Sequence, residues 1–295
     1  MGVFRSSPRM SILAESHELP LELRSLRQSI KYLASSVCHK DNPLHTASII
    51  MPKNYKPYQY HPHLPQPLAY RIRQATLDPL LVINKVLPRR INPIPPWDSF
   101  EFKIDMHIYN ETNSKKDTTN IIYKNLFYEL INKYEDFAHI YTDGSVKEDQ
   151  RGCAVVYNEH EELYKLPKAF SIFLCESYAL EKAIELSIRL KLNKTLILTD
   201  SKSVLEAVNS YNNSDTGILS IQQKLQNQAR QGYCTVLAWV PSHQQIPGND
   251  KADSAAKKAL VEGLDWTHAP VTLNDFKKSI DEYIWIKWNG LWNSK

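Results

Sequence analysis

The stretch "HIYTDGSV", residues 139–146, contains the first acidic residue on which the fold prediction depends. A mostly apolar run, residues 137–141, is followed directly by Thr142-Asp143-Gly144-Ser145. Asp and Gly favour turns for separate physical reasons, so the ordinary interpretation is a strand that ends in a turn. The alternative is that Asp143 lies where a strand emerges from a sheet and binds a metal ion. The rest of the sequence decides between them.

After residue 136, the sequence predicts short strands first and then alternating helices and strands. Residues 136–142, 153–157 and 162–166, with turn residues between them, predict an antiparallel meander. Apolar spacing then predicts helices over residues 174–191 and 217–230 and from about residues 201 and 249, with strands at 195–199 and 235–240. This order is typical of an α/β fold in which a mixed sheet has helices on its faces.

The composition separates residues 1–135 from the rest of the chain. Thirteen of the 17 prolines precede residue 136, and seven of the eight glycines follow it. Residues 1–135 hold 18 Lys and Arg against 12 Asp and Glu, whereas the remainder holds 18 against 20. The first part could therefore contribute phosphate contacts. We expect a proline-rich linker over residues 51–132 and a compact domain over 133–263.

Two further helices are predicted outside the compact domain. An apolar stripe of Leu and Ile residues at steps of four and three indicates a helix within residues 1–50, which needs a partner surface. Residues 264–295 contain an amphipathic helix over 272–292, and we expect most of its tryptophans (Trp285, Trp288 and Trp292) to be core residues.

Cysteine spacing and hydropathy bear on the compartment and on partners. The four cysteines are far apart without a C-x-x-C pair, which disfavours a zinc site and a disulfide framework. No apolar run approaches the roughly 20 residues that span a bilayer, and the first 20 residues lack a signal-peptide pattern. We expect an intracellular protein, in nucleus or cytoplasm, without a membrane partner.

Four acidic residues near the predicted strand ends and helices each have an ordinary structural explanation. Asp143 fits a turn, and Asp200 fits a helix N-cap. Glu176 lies in the first turn of a helix, where the helix dipole favours an acid. Asp253 fits a solvated helix face.

Helical spacing argues against these explanations for two of the four acids. Their rows are otherwise apolar: Glu176 shares one with Leu180, Ile184 and Ile188, and Asp253 shares one with Ala256 and Leu260. An inward-facing carboxylate is costly unless a positive group meets it. Four acids on separate elements therefore predict a shared cation, and their hard oxygen ligands suit Mg²⁺ or Mn²⁺. Two such ions are a known device for cleaving phosphodiesters.

The ordered motifs of this region resemble those of type 1 ribonuclease H domains. They are "IYTDGS" (140–145), "ESYALEKAI" (176–184), "LTDSKSVL" (198–205) and "WVPSHQQIPGNDKADSAAK" (239–257). Each motif is weak alone, but the ordered set of four is specific. The resemblance implies a ribonuclease H-like mixed five-stranded sheet with helices on both faces, preceded by a helical and linker segment.

The resemblance also implies residue roles and a substrate. Asp143, Glu176, Asp200 and Asp253 match the metal-binding acids of the family, and His243 matches a mobile histidine that assists proton transfer or product release. By the family's pattern, Asp143 bridges two Mg²⁺ ions, with Glu176 and Asp200 on one and Asp253 on the other. Nucleic-acid contacts are implied for Gly144, Ser145, Ser201 and Lys202. The implied substrate is an RNA/DNA hybrid.

A second resemblance covers the rest of the chain. "GVFRSSPRMSILAESHELPLELR" (2–24) is similar to the segment that follows the polymerase in jockey-type non-LTR retrotransposons, and "INPIPPW" (91–97) follows in the same order. No Asp-Asp pair occurs in the chain, so we expect the polymerase domain itself to be absent. A reverse transcriptase domain is therefore a candidate partner.

Three departures from the ribonuclease H pattern concern substrate handling. Phe173, Leu174 and Cys175 stand where the family commonly has small polar residues that help to distinguish RNA from DNA. Gln245 replaces a frequent glycine near His243. There is also no insert for the basic helix with which some bacterial members grip the hybrid, so binding has to use Lys202, the basic first segment or a separate polymerase domain.

The sequence therefore predicts a two-metal endonuclease that cleaves the RNA strand of hybrids. Two alternatives stay open. One is a catalytically silent remnant that binds nucleic acid or another protein, which the changes at Leu174 and Gln245 favour and the presence of all four acids disfavours. The other is DNA strand transfer by a related fold, which the "PSH" ending and the short spacing between acids disfavour.

Overall fold

A computed structural model describes residues 9–39, 86–87, 100–112, 119–211 and 215–293. The chain divides into two compact units: unit 1 combines residues 1–88 with 270–295, and unit 2 spans residues 89–269. Most of the predicted linker lies outside the described residues.

Nine helices and seven strands make up the described regular structure. The helices are α1 (Arg9–Glu15), α2 (Leu21–Cys38), α3 (His107–Glu111), α4 (Asn120–Lys133), α5 (Ile172–Arg189), α6 (Lys202–Asn209), α7 (Thr216–Arg230), α8 (Pro247–Glu262) and α9 (Leu273–Asn293). The strands are β1 (Ile104–Asp105), β2 (Ala138–Lys147), β3 (Gln150–Tyr157), β4 (His160–Leu166), β5 (Lys194–Thr199), β6 (Cys234–Trp239) and β7 (Leu264–Asp265). Among the described residues, no helix combines the length and hydropathy that crossing a membrane requires.

Unit 2 is built on one mixed sheet with the strand order β1-β6-β5-β2-β3-β4-β7. The antiparallel meander β2-β3-β4 forms as predicted, and β5, β6 and β1 continue the sheet in parallel from β2. The predicted mixed α/β class is confirmed. Its five strands are extended to seven by β1 and β7, which have two residues each and are therefore too short to give a sequence signal.

Helices cover both faces of this sheet, as the alternation of side chains along β3 shows. Val155 packs in the larger core with Leu180 and Ile184 of α5. Its neighbours Ala154 and Val156 instead pack with alanines of α8: Ala252, Ala255 and Ala256. Since successive strand residues point to opposite faces, α5 and α8 lie on opposite sides of the sheet.

Strand β2 corrects the prediction of a turn at Asp143-Gly144. The strand continues to Lys147, and Gly144 pairs with Cys153 of β3. The chain turns only at Glu148, which has a left-handed φ of 48°. Gly144 is needed for close packing, because a Cβ there would lie 2.9 Å from the backbone nitrogen of Glu176.

Residues 100–112 and 119–133 correct the predicted linker. They form β1, α3 and α4, and their apolar side chains enter the larger core of unit 2 beside the sheet: Phe102, Ile108, Tyr123, Phe127 and Leu130. Helix α4 presents only one narrow buried face, whose side chains join a core cluster that also contains strand and helix residues far along the chain. Local sequence pattern therefore gave little indication that this segment is ordered.

In unit 1, helix α2 packs against α9, which identifies the partner of the predicted apolar stripe. Arg27 and Lys31 of α2 both pair with Asp281 of α9, at 2.6 and 2.7 Å. Trp288 is buried, whereas Trp285 and Trp292 are exposed. The prediction that most of these tryptophans are core residues is therefore wrong, because only one of them lies on the face of α9 that is buried.

The packing of α4 predicts a stability effect outside the region with ribonuclease H motifs. Leu130→Ala should lower the free energy of unfolding of unit 2 by about 2–5 kcal/mol, because it removes a fully buried side chain and leaves a cavity. Ile121→Ala on the exposed side of the same helix is the control and should change it by less than about 0.5 kcal/mol. Urea unfolding followed by fluorescence measures both values. Equal small effects would contradict the placement of α4 in the core.

Candidate metal centre

Three of the four predicted acids lie together at one edge of the sheet. Asp143, Glu176 and Asp200 each have a carboxylate oxygen within 4.8 Å of the other two. Asp143 and Glu176 are buried, at 6% and 7% exposure, and Asp200 is half-buried. These three side chains come from β2, the first turns of α5 and the end of β5.

The register of the sheet brings Asp143 and Asp200 together. The last parallel pair between β2 and β5 is Thr142 with Thr199. Asp143 directly follows Thr142, and Asp200 directly follows Thr199. Strand β2 continues past this point and β5 ends there. Asp143 is thus inside a strand rather than at its end, but it lies beside the end of the neighbouring strand.

Helix α5 brings Glu176 to the same place. The helix begins after Ser171, whose hydroxyl accepts a hydrogen bond from the Leu174 amide at 3.4 Å. The absence of a side chain at Gly144 then lets the first turns of α5 approach β2 closely. The apolar row behind Glu176 fixes its direction, because Leu180 and Ile184 are fully buried.

The electrostatics of this cluster favour a cation. Burial, reinforced by the charges of Asp200 and Asp253, raises the pKa of the Asp143 carboxyl to about 8. Burial also raises the pKa of Glu176 well above its usual value, with Asp143 and Asp200 acting in the same direction. Glu176 Oε2 is buried with no hydrogen-bond partner among the described residues. An unpaired buried oxygen beside two further carboxylates fits the oxygen-rich coordination of Mg²⁺ or Mn²⁺.

Asp253 is a neighbour of this cluster but not a member of it. Its Oδ2 lies 2.6 Å from Lys257 Nζ, one turn along α8. The two side chains act on Asp143 in opposite directions, since the charge of Asp253 raises the pKa of Asp143 and that of Lys257 lowers it. The helical row predicted for Asp253 is correct in that Ala256 and Leu260 are buried.

His243 lies on the loop between β6 and α8, next to the predicted departure at Gln245. Both residues have left-handed backbone conformations, with φ of 58° and 57°. His243 is exposed. Gln245 Oε1 accepts a hydrogen bond from Lys124 Nζ of α4 at 2.8 Å, so this loop is tied to the segment that the sequence assigned to a linker.

The four predicted nucleic-acid contacts have different surroundings. Gly144 and Ser145 are half-buried in β2. The Ser201 amide donates to Thr199 Oγ1 at 3.2 Å, just before α6. Lys202 Nζ donates to the Tyr109 hydroxyl at 2.6 Å and pairs with Glu206 at 3.1 Å.

Two aromatic residues beside Asp200 were missed by the sequence reasoning. Trp239 Nε1 donates to the backbone carbonyl of Asp200 at 3.0 Å. The Tyr109 ring meets the Trp239 ring edge-on, with centroids 5.5 Å apart. Trp239 is the last residue of an apolar strand, so its apolar character was attributed to that strand. Tyr109 lies in a short helix that has no sequence signal of its own.

Comparison with known protein families assigns the region that holds these acids. Residues 135–261 match the family model described as RNase H. The match covers less than half of the chain. The match runs from before β2 to the last turn of α8. It therefore contains all five predicted catalytic residues, but not α3 or α4.

Solved structures similar to this chain include RNase H proteins. RNase H1 from Halobacterium salinarum NRC-1 is 19% identical, with a TM-score of 0.33, over 42% of this chain and 96% of that one. LC11-RNase H1 in complex with an RNA/DNA hybrid is 20% identical, with a TM-score of 0.34, over 41% and 95%. The prototype foamy virus protease-reverse transcriptase is 20% identical, with a TM-score of 0.36, over 42% and 21%. A comparison with curated protein sequences finds no match.

The raised pKa of Asp143 predicts how stability depends on pH without metal. Between the unfolded pKa near 4 and the folded pKa of about 8, the folded state binds more protons than the unfolded state, so stability should fall as pH rises from 5 to 8. Asp143→Asn removes this group and should reduce the loss. Denaturant unfolding in EDTA at several pH values measures it. Identical pH profiles for the two proteins would contradict the buried, charged cluster.

Proposed function

We propose that the RNase H domain is an endonuclease that hydrolyses the RNA strand of RNA/DNA hybrids with two divalent cations, Mg²⁺ or Mn²⁺. The family match supports the reaction class. The observation that carries the proposal is the meeting of three carboxylates at one sheet edge, with one buried Glu176 oxygen that has no partner among the described residues. A cluster of this kind is unfavourable by itself and favourable around cations.

The acids would divide between the two cations as the family pattern implies. Asp143, Glu176 and Asp200 are grouped closely enough to hold one cation, and Asp143 would share the second with Asp253. When bound, the cations activate water and stabilise the charge of the scissile phosphate. To bind a cation, the Asp143 carboxyl would have to lose the proton that its raised pKa favours. Asp253 would have to give up its ion pair with Lys257.

His243 and the residues beside the acids would handle the substrate. The exposed position of His243 on its loop suits proton transfer or product release at the sheet edge. Gly144, Ser145, Ser201 and Lys202 would contact the hybrid.

The start of α5 bears on how RNA and DNA are distinguished. Leu174 and Cys175 are buried, so their side chains are core residues rather than replacements for polar contacts to the hybrid. Phe173 is half-buried, and Ile172 beside it is exposed. Recognition of the RNA 2′-hydroxyl would therefore fall to Ser145, Ser201 and backbone groups, which can form the hydrogen bonds that it offers.

Cleavage of a labelled RNA/DNA hybrid tests the proposal against a catalytically silent remnant. The full chain with Mg²⁺ should cut the RNA strand, and EDTA should abolish cutting. Asp143→Asn should lower the rate at least about a hundredfold, because it removes the ligand shared by both cations. Duplex DNA and duplex RNA should remain intact.

A matched control is available on the same hairpin. Asp149→Asn makes the same chemical change at an exposed acid that pairs with Lys168, and its rate should equal that of the unchanged chain. Binding of the hybrid without cutting would establish the silent remnant instead. Cutting that survives Asp143→Asn would exclude the assignment of Asp143.

We also propose that the chain is part or a remnant of a jockey-type retrotransposon protein and that a reverse transcriptase domain is its partner. The likeness of residues 2–24 to the segment after such polymerases supports this. Sequencing of the transcript is the test: polymerase codons upstream of Met1 are expected for part of such a protein, and a degraded polymerase sequence for a remnant.

A further inference from the structure

We propose that Tyr109, which lies outside the RNase H family match, is a positioning residue for the metal ligand Asp200. The inference deepens the proposed function and rests on its metal centre. It assigns part of that centre to residues 100–112, so that the functional domain begins before residue 135. The argument starts from the backbone of Asp200.

The Asp200 carbonyl oxygen is held by two donors from different parts of the chain. The Lys202 amide donates to it at 3.1 Å, which shapes the turn into α6. Trp239 Nε1 donates to it at 3.0 Å from the end of β6. These two hydrogen bonds fix the peptide that carries the Asp200 side chain, and so restrict where its carboxylate can lie.

Tyr109 contacts both of the residues that supply these donors. Its hydroxyl accepts a hydrogen bond from Lys202 Nζ at 2.6 Å, and the ammonium group lies 3.9 Å from the centroid of its ring. The ring also meets Trp239 edge-on, at 5.5 Å and 87°. Tyr109 therefore joins the start of α6 to the end of β6, on either side of Asp200.

The sheet explains why a residue so far before the motifs reaches this edge. Strand β1 is parallel to β6, with Asp105 paired to Ala238. The carboxyl ends of parallel strands lie at the same edge, so α3, which follows β1 directly, emerges beside the end of β6. The buried Ile108 anchors α3 in the core next to Tyr109.

Supporting residues of this kind matter because a metal ligand has to be held in place before the metal arrives. Mutation of groups that orient ligands typically weakens metal affinity by about 10–100-fold. Loss of the Tyr109 ring removes a contact to both Lys202 and Trp239, which leaves the Asp200 peptide less restricted. The hybrid does not need to touch Tyr109 for this effect.

Binding of Mn²⁺ to the full chain without nucleic acid tests the inference. Electron paramagnetic resonance of free Mn²⁺ gives the affinity directly. Tyr109→Ala should weaken it about tenfold or more, and Tyr109→Phe, which keeps the ring but loses the hydrogen bond to Lys202, about threefold. Tyr128→Ala is the matched control, since Tyr128 is an exposed tyrosine of α4, and its affinity should stay within about twofold of the unchanged chain.

Cleavage kinetics supply a second readout. In Tyr109→Ala the Mg²⁺ concentration for half-maximal cleavage should rise by the same factor. Unchanged Mn²⁺ affinity in folded Tyr109→Ala overturns the inference, and if that variant does not fold, unchanged affinity in Tyr109→Phe does so. If Tyr109→Ala weakens Mn²⁺ binding but the unchanged chain cuts no hybrid, the proposed function fails and the positioning role stands.

Discussion

The desolvation and mutual repulsion of three clustered carboxylates, two of them buried, are the constraint on which the rest of unit 2 depends. The carboxylates of Asp143, Glu176 and Asp200 would be better solvated apart, because each loses water and gains like-charged neighbours in this cluster. The sheet, α5 and the start of α6 hold them together against that cost. The pKa values of Asp143 and Glu176 in the absence of metal are raised first by burial and then by the neighbouring acids.

What holds the acids in place is ordinary packing at several points around them. The pairing of Thr142 with Thr199 places Asp143 and Asp200 side by side on neighbouring strands. The absence of a side chain at Gly144 allows α5 to pack closely on β2. A small shift in either contact would move a carboxylate out of the position in which it can bind a cation. The site therefore requires a rigid sheet beneath it.

Much of this arrangement could be predicted from the sequence, and the limits have physical causes. The order of strands and helices after residue 136 follows from local periodicity, and so does the inward direction of Glu176. The inward direction predicted for Asp253 is not found, because its carboxylate pairs with Lys257 at the helix surface. The continuation of β2 through Asp143-Gly144 could not be predicted, because those two residues are turn formers and only pairing with β3 overrides that preference. Helix α4 was missed for a related reason: its buried side chains join a core cluster made largely of residues far along the chain.

In the proposed metal centre, Asp253 stands apart from the other three acids. Lys257 neutralises Asp253 one turn away, so this acid has a partner while Asp143, Glu176 and Asp200 repel one another. Asp143, Glu176 and Asp200 would hold a cation where the electrostatic cost is larger. Asp253 would have to give up its ion pair with Lys257, whose ammonium group is exposed. The two halves of the proposed centre would therefore differ in affinity, because one is a largely buried cluster of carboxylates and the other is a helix-surface ion pair.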